Sequence, residues 1–139
     1  MKILFAADGS NFTKKALAFL VTNEALLDGG ELVVLNVQAP LPPQVKGFVG
    51  ASVVADYHSD EAAKVLAPIE EFLRRHELKF RSAWVVGQAG SEIVEAARRE
   101  AAQMIVMGTH GYGLLGRTVM GSVAQRVLVD SEVPVLLVK

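Results

Sequence analysis

Ile3-Leu4-Phe5-Ala6-Ala7-Asp8-Gly9-Ser10 is the stretch on which the fold turns. An apolar run ends abruptly at Asp-Gly-Ser. A short run that is apolar at every position fits a strand buried on both faces, because a half-buried strand would alternate. Directly after it, Ala16, Leu17, Leu20 and Val21 recur at helical spacing, and Asp28-Gly29-Gly30 offers a stop.

The same pair of patterns repeats along the chain. Residues 32–37 form a second buried-strand run, and Ala62, Leu66, Ile69 and Leu73 mark one face of a helix reaching about Glu77. Pro68 lies inside that helix and is expected to kink or break it, since it removes a donor and crowds the preceding turn. Residues 80–86 read as a third strand and residues 87–90 as a turn. Ser91 is placed to cap a helix with Glu92 and Glu95 near its positive end and Ile93, Val94, Ala97 and Ala101 on its core face. Residues 104–107, 119–129 and 133–138 read as strand, helix and strand. Residues 40–56, with three prolines and two glycines, show no period and read as a loop. Trp84 is expected to be partly buried beside the third strand.

Strand and helix therefore alternate, which requires crossover connections and a parallel sheet covered on both faces. The expected fold is α/β, one domain over residues 1–139, with an open parallel five-stranded sheet. In such sheets a ligand binds beyond the carboxyl ends of the strands, where the strand order reverses.

Composition narrows the function. A chain of 139 residues, 51% hydrophobic, can bury a core, and its mean hydropathy is +0.33. A formal net charge of −1 gives no basic excess for nucleic acid or an anionic membrane. With no cysteine there is neither a disulfide scaffold nor a thiolate metal site. The apolar N-terminal run stops too early for a signal peptide, and no run approaches the roughly 20 residues of a membrane span. A soluble, cytoplasmic protein is expected.

Residues 108–122, Gly-Thr-His-Gly-Tyr-Gly-Leu-Leu-Gly-Arg-Thr-Val-Met-Gly-Ser, hold five glycines between a strand and a helix. Glycines let a backbone approach a ligand, and amides at a helix start favour phosphate. Three phosphate motifs compete here. Gly111-x-Gly113-x-x-Gly116 has the dinucleotide spacing but lies far from a first strand–helix turn, and no acidic residue ends a following strand. Gly111 through Gly116-Arg117-Thr118 has P-loop spacing with arginine for lysine, and arginine's planar fork does not replace a lysine point charge. Gly108-x-x-Gly111, nine residues, then Gly121-Ser122 is the third.

That third pattern resembles the nucleotide loop of the ATP-binding branch of universal stress proteins. Ala7-Asp8-Gly9-Ser10, Gly87 with Ile93-Val94 and Ala96-Ala97, Gly121-Ser122-Val123-Ala124 with Arg126-Val127-Leu128, and Val133-Pro134-Val135-Leu136-Leu137-Val138 match in order, so the resemblance spans essentially the whole chain. It implies a Rossmann-like fold of the adenine nucleotide alpha hydrolase-like type. It also implies that Asp8 meets adenosine beside Ala7, which stands where many members have valine. Val37 would contact adenine through its backbone and Met107 would pack on the base. Gly108 and Gly111 would approach ribose and phosphates, and Gly121, Ser122 and the Val123 amide would cradle the phosphates. ATP, with Mg²⁺ or Mn²⁺ bound through phosphate oxygens, is the implied ligand. A homodimer paired through residues 133–138 is the implied assembly. A nucleotide-sensing stress-response protein is the favoured function, with a slow ATP-hydrolysing enzyme or a dimeric interaction module without nucleotide as alternatives.

Blander roles stand beside these. Asp8 could cap the first helix. Met107 could fill the core, and Gly113 and Gly116 could be turn residues. His110 could be a solvated loop residue, and Arg117 could steer phosphate or sit in solvent. His58 and His76 lack a partner at metal-ligand spacing.

Overall fold

The computed structural model describes residues 1–111 and 120–139. The expected loop residues Tyr112, Gly113, Gly116, Arg117 and Val119 lie outside the described residues. In chain order the elements are β1 (Ile3–Ala6), α1 (Asn11–Thr22), a 3₁₀ turn (Glu24–Leu26), β2 (Leu32–Gln38), α2 (Pro43–Val49), α3 (Ala51–Arg75), β3 (Phe80–Val86), α4 (Ala89–Arg99), β4 (Met104–Gly108), α5 (Ser122–Asp130) and β5 (Val135–Val138). The strands form one sheet in the order β3-β2-β1-β4-β5. Every pairing is parallel, with Ile3 opposite both Leu32 and Met104.

The central strands are apolar at consecutive positions because both their faces are covered. Ile3, Phe5 and Ala7 of the first strand and its end pack with Leu32 and Val34 under α1 and α3. Leu4, Ala6, Val33 and Leu35 pack on the other face with Ile93, Ala97, Ala124 and Val127 of α4 and α5. The helical stripes are as expected in α3, where Ala62, Leu66, Ile69 and Leu73 are buried. Burying one such aliphatic side chain stabilises a fold by about 1.5–3 kcal/mol before entropy is counted.

Several expectations change. Helix α1 stops at Thr22, before Asp28-Gly29-Gly30, because Asn23 Nδ2 and Thr22 Oγ1 donate to the Phe19 carbonyl and close its last turn. Asp28 (φ 48°) and Gly29 (φ 73°) then turn the chain into β2. Residues 40–56 are largely helical rather than a loop. Pro43 sits in the first turn of α2, where its fixed φ favours a helix start, and Gly50 (φ 92°) joins α2 to α3. Residues 43–57 bury nothing, so their helices carry no apolar stripe to read.

Pro68 does not end α3. Its position and that of Lys64, whose carbonyl loses a donor, are both solvent-exposed, so water satisfies that carbonyl. Helix α4 is capped at Gln88, with Ser91 inside its first turn. Ala101 adopts φ 52° and is exposed, and Ala102 takes the core position instead. The last helix begins at Ser122 behind Gly121, and β5 begins at Val135, partly exposed along its length. Trp84 is 38% exposed on the edge strand β3.

At the amino ends of the strands, Lys2, Glu31, Arg81 and Glu100 form an ion-pair network. Arg81 Nη2 lies 2.5 Å from Glu100 Oε2, and Arg81 Nε lies 2.9 Å from Glu31 Oε1. Lys2 Nζ adds a contact of 3.4 Å to Glu100. The Arg81 hydrogen bond, ahead of its Coulombic attraction and a weaker Lys2 contribution, holds the Glu100 carboxyl below its ordinary value.

Candidate functional site

From β1 the chain winds through α1 to β2 on one side, whereas β4 continues through α5 to β5 on the other. The strand order therefore reverses between β1 and β4, and the two strand ends diverge around a cleft of about 480 Å³. That volume lies in the range of small-molecule sites. All nine residues expected from the sequence line it: Ala7 and Asp8 after β1, Val37 in β2, Met107 and Gly108 in β4, Gly111 beyond, and Gly121, Ser122 and Val123 at the start of α5.

The cleft has three chemically distinct parts. Val37, Leu35, Ile93 and Met107 give it an apolar wall. Met107 is 6% exposed and belongs to the core beneath α4 and α5, so its core role and its place in the cleft coincide.

The second part is the start of α5. Gly121 is the N-cap in extended backbone (ψ 160°), and no side chain caps the first turn. Its own N–H donates to the Thr109 carbonyl at 2.7 Å, fixing the helix start against the end of β4. The first intrahelical bond recorded is from Gln125 N–H to the Gly121 carbonyl, at 3.0 Å. The amides of Ser122, Val123 and Ala124 precede it, at the positive end of the helix dipole, which is a donor set suited to an anion.

The third part is Asp8. Helix α1 is capped by Ser10, whose Oγ accepts from Thr13 N–H, so Asp8 is not its N-cap. One carboxylate oxygen, Oδ1, accepts from Ser10 N–H at 2.9 Å and from the Thr13 hydroxyl at 2.7 Å. The other, Oδ2, faces Gly111, where any Cβ would collide with it. Gly9 (φ 81°) makes the turn that places these groups together.

Gly108 has a different reason for being glycine. A Cβ there would come within 2.5 Å of Phe12 Cβ and 3.0 Å of the Phe12 carbonyl carbon, so its absence seats α1 on β4. Gly90, expected in a turn, lies inside α4, where a Cβ would meet Arg126 Cγ at 2.5 Å.

The sequence reading missed Thr13 and Thr109, which also line the cleft. Both are nearly fully buried, at 3% and 7% exposure. Thr13 was findable only as a hydroxyl in the first turn after Asp8, a common position for one. His110 lines the cleft with its ring 4.9 Å from that of Phe12 and its Nδ1 2.9 Å from Thr109 Oγ1. His58 lies away from the cleft in α3, 4% exposed, with Nδ1 unpartnered among the described residues.

Among models of known families, the universal stress protein family matches residues 1–139. The chain belongs to that family. A universal stress protein of Thermus aquaticus is 31% identical over 138 residues, covering 99% of this chain and 97% of the relative. The solved structure of MJ0577, which is a universal stress protein of Methanocaldococcus jannaschii, matches with TM-score 0.86 at 30% identity over 99% of this chain and 94% of that one. A universal stress protein of Archaeoglobus fulgidus, solved in complex with dAMP, matches with TM-score 0.74 at 25% identity over 100% and 98% of the two chains. The α/β fold with a parallel sheet is thus that of universal stress proteins. No helix among the described residues is long and apolar enough to cross a membrane.

Proposed function

We infer that this universal stress protein is a cytoplasmic nucleotide sensor that binds ATP in the cleft between β1 and β4 and acts as a homodimer of one-domain chains. The observation that carries the reading is the uncapped first turn of α5 sharing one cleft with an apolar wall and a single carboxylate. A nucleotide needs those three features: amides for phosphate, an apolar slot for the base and an acceptor for sugar or amino donors. The dAMP bound to the Archaeoglobus fulgidus relative supports an adenine nucleotide.

In this reading Gly121, Ser122 and the Val123 amide hold the phosphates, Val37 offers its backbone to adenine and Met107 packs against the base. Asp8 accepts from the adenosine end beside Ala7, and the backbones of Gly108 and Gly111 border the ribose. A divalent cation, Mg²⁺ or Mn²⁺, neutralises phosphate charge when bound through phosphate oxygens. The half-exposed edge strand β5, which pairs only with β4 on its inner side, supports dimer pairing on its outer side.

The test is direct. Small molecules released from the purified protein are identified, and ATP, AMP and NADH are titrated with and without Mg²⁺. The reading expects ATP to bind and Gly121→Val to abolish binding with the fold retained. Absence of ATP binding at millimolar concentration removes it. Turnover clearly above that of Gly121→Val would turn the reading towards a slow ATPase.

A further inference from the structure

The turn between β1 and α1 is built around one hydroxyl. Asp8 N–H donates to Thr13 Oγ1 at 3.1 Å, and the same hydroxyl donates to Asp8 Oδ1 at 2.7 Å. The threonine thus holds the aspartate by backbone and side chain together. Ser10 N–H adds a second bond to Oδ1 at 2.9 Å. Thr13 is 3% exposed, so water does not compete for its hydroxyl.

With Oδ1 occupied twice, the carboxylate has a single orientation, and Oδ2 is the oxygen left facing Gly111 and the cleft. We propose that Thr13 is the positioning residue of the nucleotide site: its hydroxyl locks Asp8 so that one defined oxygen, Oδ2, accepts a hydrogen bond from the nucleoside part of the ligand. The proposal rests on the nucleotide-binding reading above. It adds a residue that need not touch the ligand, and it gives the missing side chain at Gly111 a purpose, which is to leave Oδ2 uncovered.

Pre-organisation makes the expected effect sizeable. A carboxylate free to rotate must be ordered on binding, and it loses a charge-assisted bond whose removal is worth roughly tenfold or more in an equilibrium constant.

A double-mutant cycle on the full chain separates positioning from packing. ATP affinity is measured for the wild type, Thr13→Val, Asp8→Asn and the double variant, with Thr13→Ser as the conservative variant. Positioning through Asp8 predicts about a tenfold loss in Thr13→Val, recovery in Thr13→Ser, and a double variant no weaker than Asp8→Asn alone. Additive losses, or equal losses in the Val and Ser variants, would overturn the proposal while leaving the nucleotide reading intact. If the wild type itself binds no adenine nucleotide, the nucleotide reading fails and the proposal fails with it. Thr13→Ala replaces Thr13→Val in the cycle should the valine variant not fold by circular dichroism.

Discussion

Replacing Gly108 by alanine should cost stability, and the structure gives the size of the cost. Gly108 has no positive φ, so alanine suits its backbone. The objection is entirely steric. The new methyl would lie 2.5 Å from Phe12 Cβ, 3.0 Å from the Phe12 carbonyl carbon and 3.2 Å from its carbonyl oxygen. Carbon atoms pack best at about 3.5–4.0 Å, so the nearest overlap is about an ångström. Two of the three atoms belong to the backbone of α1, which no side-chain rotation can move. The helix must lift from β4 as a body, loosening the contacts of Ala16 and Leu17 behind it. Overpacking costs typically 1–3 kcal/mol, and the rigidity of this neighbour places Gly108→Ala at about 2–3 kcal/mol. For a chain of this size that lowers Tm by about 10 °C. Urea unfolding followed by circular dichroism measures it: the midpoint should fall with the slope unchanged. A midpoint equal to the wild type would refute the packing account and leave glycine at 108 a requirement of the ligand alone.

Gly111→Ala meets the Asp8 side chain, which can swing away, so its stability cost should stay below about 1 kcal/mol; ATP affinity should instead fall about tenfold by calorimetry, and unchanged affinity would remove Asp8 from the site. Because Arg81 holds the Glu100 carboxyl low, the stabilisation from that pair is complete above the ordinary glutamate value of 4.5 and is lost as pH falls through and below it. The stability gap between wild type and Glu100→Gln should therefore shrink between about pH 5 and pH 2, and a gap constant with pH would contradict the assignment. The bonds from Ile105 N–H to the Pro134 carbonyl and from Thr109 N–H to the Val138 carbonyl turn those two residues inward, so Leu137 presents its amide to the outer edge. Leu137→Pro removes that donor and should yield a monomer by light scattering with far-UV circular dichroism retained; a persistent dimer would exclude pairing through β5.

The parts of this fold that were legible in the sequence are those whose burial is dictated by chain-local pattern. Ile3 to Phe5 and Leu32 to Leu35 are buried on both faces and read as unbroken apolar runs, and Ala62, Leu66, Ile69 and Leu73 carry the period of a one-sided helix. Helix α2 and the first turns of α3 were illegible for the opposite reason, since solvent surrounds them and no period is imposed. Ala101 was misread for Ala102 because a left-handed residue shifts the helical phase by one position.

At the site, the glycine-rich stretch was legible because a strand running into glycines and then a helix start leaves few structural alternatives. The reasons behind single residues were not. What excludes a side chain at Gly108 or Gly90 is Phe12 or Arg126, brought there only by tertiary packing. Thr13 stayed hidden because its partner, Asp8, is joined to it by a turn whose geometry depends on Gly9.

The network of Lys2, Glu31, Arg81 and Glu100 gathers at the opposite edge of the sheet from the cleft. Lys2 and Asp8 flank β1, and six residues of extended chain span about 20 Å. At physiological ionic strength fields between exposed charges decay over about 8 Å. The two ends of the sheet are therefore electrically insulated from each other. Reversing or neutralising charges at the amino edge would retune acid tolerance and solubility while an anion at α5 experiences the same local field, so this edge is open to redesign on its own terms.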